Sequence, residues 1–435
     1  MADIRPFSSI RPKEHLAERV AALPYDVYSR EEARKEVIRE PISFLKIDRA
    51  DTQFHDSISM YDERVYYKAK DILNQMIEEG IFIEDSTECY YIYELIMEGR
   101  HQTGIVGCVS IDDYLNHTIK KHEDTREDKE IDRINHIDVC NAQTGPIFLA
   151  YRNNNKLTKI TSDIKKQDCL YSFESTDHIH HNAWRVSNPD VIKEIKGIFS
   201  EMKQIYIADG HHRAASAVKV GLKRRKEEEN SKLESQSIKL ESDYFLSVLF
   251  PDNELMIYPY YRVVKDLNGL SKDDFLQEVK KSFDILDCGD KEYQPDSKLS
   301  YGMYIDDHWY RLSFKKEQLD SIENEYNKEE KIIKTLNVSI LQNFILSPIL
   351  GITDPRIDKR IDFVGGIRGT KELEKRVKED MVVAFTLYPT SIEELFMVAD
   401  LGKRMPPKST WFEPKLRSGL FLHSINSKET NQSKE

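Results

Sequence analysis

Two short stretches of the chain concentrate side chains that could do chemistry. The first is "QIYIADGHHRAASAVKVGL", residues 204–222, where an apolar β-type segment runs into Asp209-Gly210-His211-His212-Arg213 and then into an alanine-rich helix. Gly210 lets the backbone turn without a Cβ clash. A helix starting just beyond it leaves free N–H groups and the positive end of its dipole facing the turn. His211, His212 and Arg213 add donors around the same point, and a guanidinium suits phosphate bidentately. Together these features describe a phosphate cradle. Asp209, its one anionic side chain, could hold Mg²⁺ or cap the helix. On spacing alone, a metal site and a capped polar turn stay open.

The second stretch is His122-Glu123 within "KKHEDTREDKEIDR". A charge run is ordinarily a solvated face. This one lies just before a helix and a buried strand, so a carboxylate could project from a rigid element into a cleft. Glu123 could then act as a general base, with Lys129 and Arg133 as positive partners. Two further stretches are weaker. In "HIHH" (178–181), His178 and His180 would share one face of a strand at a spacing zinc can use, but no carboxylate or cysteine of clear partner spacing is near. In "MPPKSTWFEPKLRSGL" (405–420), Lys408, Ser409 and Thr410 look like part of a Walker A loop. Pro406 and Pro407 stand where its glycines are needed, so the segment reads as a rigid one that could wall a cleft.

The elements that must position these residues are legible in outline. Ser29 reads as an N-cap for a helix whose first turn holds Glu31 and Glu32. "MYDERVYYKAKDILNQMIEEG" places Tyr61, Val65, Ile72, Met76 and Ile77 near one helix face and stops at Gly80. "CYYIYELIM" and "TGIVGCVSI" form a hairpin. Residues 127–141 have helical spacing of Ile131, Ile134, Ile137 and Val139, and "PIFLAY" is a short buried strand. "DCLYSFES" and "HIHHNAWRVS" read as strands, and "PDVIKEIKGIFSEM" as a helix with Pro189 in its first turn. After residue 243 come the strands "YFLSVLF", "ELMIYPYYRVV" and "MVVAFTLYP", a hairpin at "YGMYIDDHWYRLSF", and several helices. Interspersed helices and hairpins predict an α+β, mixed-sheet fold.

Bulk properties narrow the function. At 435 residues the chain exceeds what one core supports, so two or three lobes are expected. Lys plus Arg is 64 and Asp plus Glu 76, a net charge of -12, which disfavours a nucleic-acid partner. No apolar run approaches the roughly 18 residues of a membrane span, and "MADIRPFSSIRPKEH" lacks a signal-peptide core. Five scattered cysteines, Cys89, Cys108, Cys140, Cys169 and Cys288, without a C-x-x-C pair, read as packed, reduced thiols in a cytoplasmic protein.

The order of motifs resembles the ParB/sulfiredoxin superfamily and, within it, the free L-serine kinases: His-Glu before a helix, Pro-Ile opening a strand, then Asp-Gly-His-His-Arg and an Ala-rich helix. The whole chain also resembles a conserved, uncharacterised bacterial and archaeal family, domain of unknown function 1015. The marks are "LPYDVYSREEA", "HEDTREDKEIDR", "GPIFLAY", "ADGHHRAASA" and "MPPKSTWFEPKLRSGL". The first resemblance implies a ParB/sulfiredoxin-like core at 105–225, with an insertion at about 152–203 that the smaller kinases largely lack. Around it we expect an N-terminal α/β lobe (1–104), a mobile loop (226–242), a C-terminal α+β lobe (243–423) and a disordered tail (424–435). It further implies a kinase that uses Mg²⁺ and ATP or ADP to phosphorylate free L-serine. Glu123 matches the catalytic glutamate, supported by His122, and Asp209 through Arg213 match the phosphate loop, with Asp209 as Mg²⁺ ligand. Lys129, Arg133, Thr144, Lys408 and Ser409 are candidate substrate contacts. "YPYYRVV" departs from the uncharacterised family's Pro-Thr-His-Arg, placing Tyr260 and Tyr261 at its Thr and His positions. Sulfiredoxin chemistry is excluded, because His211 stands where its loop cysteine would be. The readings left beside the kinase are a nucleotide-binding regulator without transfer chemistry and a metal-dependent hydrolase built on "HIHH" and His122-Glu123.

Overall fold

Between Tyr90 and Ser110 nearly every residue is buried, and the chain reverses at Glu98-Gly99, both at positive φ. That two-residue turn matches the twist of the strands it joins, and Met97 pairs directly with Arg100. This hairpin is the centre of the larger of two units in the computed structural model, which describes residues 1–231 and 240–426. The first unit comprises Met1–Leu255 and Pro414–Glu435, the second Met256–Glu413. The expected α+β class, with mixed sheets, is what the chain adopts.

The first unit is built on a nine-stranded sheet. Its strands are β1 (Ile4–Arg5), β2 (Tyr90–Met97), β3 (Arg100–Ser110), β4 (Ile119–Lys120), β5 (Ile147–Tyr151), β6 (Tyr171–Glu174), β7 (His180–Val186), β8 (Ile205–Asp209) and β9 (Tyr244–Pro251). The order is β4-β8-β5-β9-β3-β2-β7-β6, with β1 also on β3. The pairs β4–β8 and β5–β9 are parallel and the others antiparallel. The expected insertion supplies β6 and β7 to this sheet. Tyr90, Ile92, Ile105, Leu149, Ile207 and Phe245 lie in its core.

The helices that matter here are α1 (Arg30–Arg39), α2 (Glu63–Glu78), α3 (Glu127–Cys140), α4 (Asn155–Ile164), α5 (Pro189–Glu201) and α6 (His211–Ser231). Ser29 caps α1 in a reciprocal capping box with Glu32. Asp62 caps α2, and Pro189 opens α5. Tyr61 and Ile77, expected on the buried face of α2, are exposed, while Val65, Ile72 and Met76 are buried. In α3 the expected isoleucine stripe turns inward only in part: Ile137 is in the core and Ile134 packs against it. Ile131 is exposed, and Glu130, Asp132, Arg133 and His136 are buried with Ile137. Burying such groups is tolerated only because each finds a polar partner.

The second unit carries a six-stranded antiparallel sheet in the order Phe283–Gly289, His308–Phe314, Ser300–Ile305, Val383–Leu387, Tyr260–Val264, Ile361–Gly365. The strand expected at "ELMIYPYYRVV" breaks at Pro259, which has no N–H for a ladder. Ile257–Tyr258 pairs instead with Trp411–Phe412. Tyr261 is buried and Tyr260 meets Trp411 edge-on at 4.8 Å.

Other expectations need correction. Helix α6 runs to Ser231, into the stretch expected as a loop from 226, and residues 232–239 lie outside the described range. Of the expected tail, Ser424 pairs with Ala142 in a small sheet and Ile425 is buried; 427–435 lie outside the description. All five cysteines are free thiols, but Cys169 is exposed rather than packed. Among the described residues no helix is long and apolar enough to cross a membrane.

Gly221 of α6 offers a test of this packing. A Cβ there would overlap the Ser242 carbonyl oxygen and lie 2.8 Å from Ile111 Cδ1, whereas one on Gly197 of α5 meets nothing within 4 Å. Gly221→Ala should cost about 1–3 kcal/mol of stability. Gly197→Ala should gain up to about 1 kcal/mol from helix propensity. Urea denaturation of both variants checks the contrast.

Candidate functional site

The site is assembled by the short parallel ladder between β4 and β8, where Ile119 pairs with Ile205 and Lys120 with Tyr206. Parallel strands leave a sheet at the same end. Lys121-His122-Glu123 therefore emerges beside Asp209-Gly210-His211, although 86 residues separate the paired isoleucines. On its other side β8 shifts register against β5 between Ile207 and Asp209. Gly210 has φ +91°, a left-handed value that a Cβ would resist. Ala214 donates its N–H to the Gly210 carbonyl at 2.9 Å, so α6 begins directly at His211.

The two adjacent histidines point to different partners. His211 is buried, its ring edge-on to buried His122 at 4.5 Å between centroids. His211 Nδ1 lies 4.0 Å from Glu123 Oε2, and Glu123 is half-exposed. His122, Glu123 and His211 each offer a ligand atom within 4.8 Å of the others, the one group of three or more such residues found among the described residues. His212 turns the other way, and its Nε2 accepts the Arg126 N–H at 2.9 Å, just before α3 starts. Burial lowers its pKa.

Asp209 sits among cations. Lys415 Nζ is 3.5 Å and Arg213 Nη2 3.6 Å from its carboxylate. Burial pushes the Asp209 carboxyl up, but Lys415, Arg213 and His211 outweigh it and hold the group well below the usual carboxylate range. Arg213 is fixed by donating to the Pro146 carbonyl at 2.7 Å. Lys415 belongs to the stretch singled out in the sequence for Lys408 and Ser409, yet sequence reasoning passed it over. Its only signal was a basic residue flanked by Pro414 and Arg417.

Arg213 also lines a small cavity of about 30 Å³, whose polar wall includes Tyr25, Asp48, Arg133, His136 and Thr144. Thr144 donates to Asp48 at 3.0 Å, and His136 Nε2 lies 3.6 Å from Asp48. Arg133 pairs with Asp132 and stacks its guanidinium 3.9 Å from the Tyr25 ring centroid. Burial drives the Asp48 carboxyl up, and burial, with Arg133 beside it, keeps His136 neutral far below the usual histidine range. Arg133 and Thr144 thus share this wall with the loop arginine. Lys129 instead reaches the Tyr61 hydroxyl at 3.2 Å. Lys408 and Ser409 belong to the second unit. There Lys408 lies over the Tyr260 ring, and the Ser409 hydroxyl donates to the Pro406 carbonyl at 2.5 Å.

"HIHH" is not the strand face the sequence suggested. His178 sits at φ +60° before β7, exposed, 2.8 Å from Glu174, and His180 lies 3.5 Å from the same carboxylate. His181 is buried inside, bonded to the Tyr93 hydroxyl at 2.8 Å and to Ser175 at 3.0 Å, with Arg417 against it.

The family model described as "Protein of unknown function (DUF1015)" matches residues 4–339. No curated protein matches the chain. Among solved structures, a free serine kinase mutant in complex with AMP is 12% identical, over 74% of this chain and 94% of that one, with a TM-score of 0.35. C-terminally truncated SbnI from Staphylococcus aureus is 11% identical over 75% and 90%, TM-score 0.37. A conserved hypothetical protein from Pyrococcus furiosus is 14% identical over 75% and 96%, TM-score 0.32.

His181 gives the unit a measurable pH dependence. Burial and then Arg417 push its pKa down to about 3, against about 6.5 in an unfolded chain. The unfolded state therefore binds the extra proton between these values. Stability is full above about pH 6.5 and falls toward pH 3, by up to ~1.4 kcal/mol per pH unit. His181→Gln should remove about one proton from the uptake on unfolding near pH 5, read from urea denaturation across pH.

Proposed function

We propose that this chain, which belongs to the DUF1015 family, is a phosphotransferase that moves a phosphoryl group from ATP or ADP to the hydroxyl of free L-serine, giving O-phosphoserine. The observation that carries this reading is the convergence, at one end of β4 and β8, of a half-exposed carboxylate with a cation-rich helix start. Phosphoryl transfer asks for positioning, charge neutralisation and an oriented nucleophile. The motif resemblance to free L-serine kinases assigns the same two halves the same roles.

The N–H groups that open α6 and the side chains of Arg213 and Lys415 hold the donor's terminal phosphates. Asp209, kept ionised by its two cationic neighbours, is the hard oxygen ligand that would hold a Mg²⁺ ion arriving on those phosphates. That ion supplies charge neutralisation. Glu123 accepts the acceptor's hydroxyl proton as the serine oxygen bonds to phosphorus and the bond from phosphorus to the bridging oxygen breaks. The nucleotide leaves one phosphate shorter, with the charge on its new terminal oxygen met by Arg213 and Lys415.

Glu123→Gln should lower turnover by about 10²–10⁴-fold, the range of a lost general base, with nucleotide affinity nearly unchanged. Mass detection of phosphoserine from purified protein, Mg²⁺, serine and ATP or ADP reads the first, and calorimetric nucleotide titration the second. Unchanged phosphoserine formation by the variant removes Glu123 from this role. Nucleotide binding without product from serine, threonine or homoserine makes the protein a nucleotide-binding regulator instead.

A further inference from the structure

We propose that His122, Glu123 and His211 form a binding site for a single first-row transition-metal ion of the Zn²⁺ or Co²⁺ type, separate in ligand chemistry from the Mg²⁺ role of Asp209. The reading stands on geometry and donor type. Three ligand atoms from two chain segments lie within 4.8 Å of one another. The two imidazoles are buried and fixed edge-on at 90°, and the carboxylate is the half-exposed member facing the way in.

Two imidazoles and one carboxylate are the ligand set of many open zinc and related sites, which leave a further position for water or substrate. Mg²⁺ by contrast prefers oxygen ligands and keeps its waters. Donors bound tetrahedrally at about 2.1 Å lie roughly 3.4 Å apart. His211 Nδ1 and Glu123 Oε2, 4.0 Å apart, lie close to that spacing. Among the described residues no other group equals it. His178 and His180 flank Glu174, but all three are exposed on a turn and a strand end. Asp209 offers a single oxygen donor, paired with Lys415 and Arg213.

The adjacent histidines sharpen the proposal. His212 is turned to the Arg126 N–H and cannot share an ion with its neighbour in this arrangement. It is therefore a control within the same motif. If Glu123 is also the general base, an ion seated on it blocks proton acceptance, so Zn²⁺ opposes the phosphoryl transfer proposed above. That consequence rests on the kinase reading; the binding itself does not.

The test uses the full chain without nucleotide. Zn²⁺ is titrated against a chromophoric chelator, and Co²⁺ is followed by its visible absorption. We expect one ion per chain and a Co²⁺ spectrum of low-coordinate, nitrogen-ligated type. His211→Ala and Glu123→Gln should each weaken Zn²⁺ by at least about tenfold, the loss typical even of a partner one bond further out. His212→Ala should leave the affinity within twofold. Thermal melts of the variants show whether they are folded, and the wild-type Co²⁺ spectrum decides the matter if one is not. Absence of a Co²⁺ signature in the wild type, or stoichiometric Zn²⁺ that survives His122→Ala with His211→Ala, overturns the proposal. Because no nucleotide is present, failure of phosphoserine formation leaves this result standing, and failure here leaves the kinase test standing.

Discussion

Everything at the site depends on two paired residues. Ile119 and Lys120 lie parallel to Ile205 and Tyr206, and only a parallel arrangement releases both chains at the same end of the sheet. An antiparallel β4 would carry His122 and Glu123 to the opposite end from Asp209. A two-residue ladder is too weak to hold this by itself. The support comes from the helices that follow, α3 and α6, which pack along one another. Ser216 donates to the Glu130 carbonyl at 3.0 Å, Lys219 pairs with the Glu130 carboxylate, and Arg224 reaches Asp138 at 2.6 Å. The strands set the direction and the helices lock it.

That lock is costly in a particular way. Helix α3 turns acids, an arginine and a histidine inward, where each needs a partner. The partners exist: Arg133 has Asp132 and Tyr25, and Asp48 has Thr144 and His136. Buried ion pairs of this kind seldom add stability over apolar packing of equal volume. A cavity with a polar wall beside Arg213 is what the arrangement produces in return. The same logic governs charge on the larger scale. A chain with net charge -12 gathers Arg213, Lys415 and His211 around one aspartate, a local reversal of charge.

Much of this was legible in the sequence where one local rule decides the outcome. The cap at Ser29, proline at 189, the hairpin from Tyr90 to Ser110, and the strand–turn–helix at 205–231 each follow from a few neighbouring residues. What stayed hidden depends on distant partners. Strand β4 is two residues long at the edge of a charge run, too short for a period of two to register. The inward face of α3 defeats an apolar count because its partners come from residues 25, 48 and 144. Lys415 could not be joined to Asp209 by any spacing rule across 206 residues. Pro259 was readable as a ladder break and was passed over in an otherwise continuous apolar run.

The paired histidines show how far a motif's meaning is set by geometry. As the first two residues of α6 they lie about 100° apart around the helix axis, so they cannot face one target together. The structure uses that angle. His211 is turned to His122 and Glu123, at the exit of β4, while His212 is turned to the Arg126 N–H, at the entrance to α3. One histidine therefore faces the exit of β4 and its neighbour the start of α3. The two adjacent rings thus have different neighbours, while Arg213 and Lys415 flank the Asp209 carboxylate.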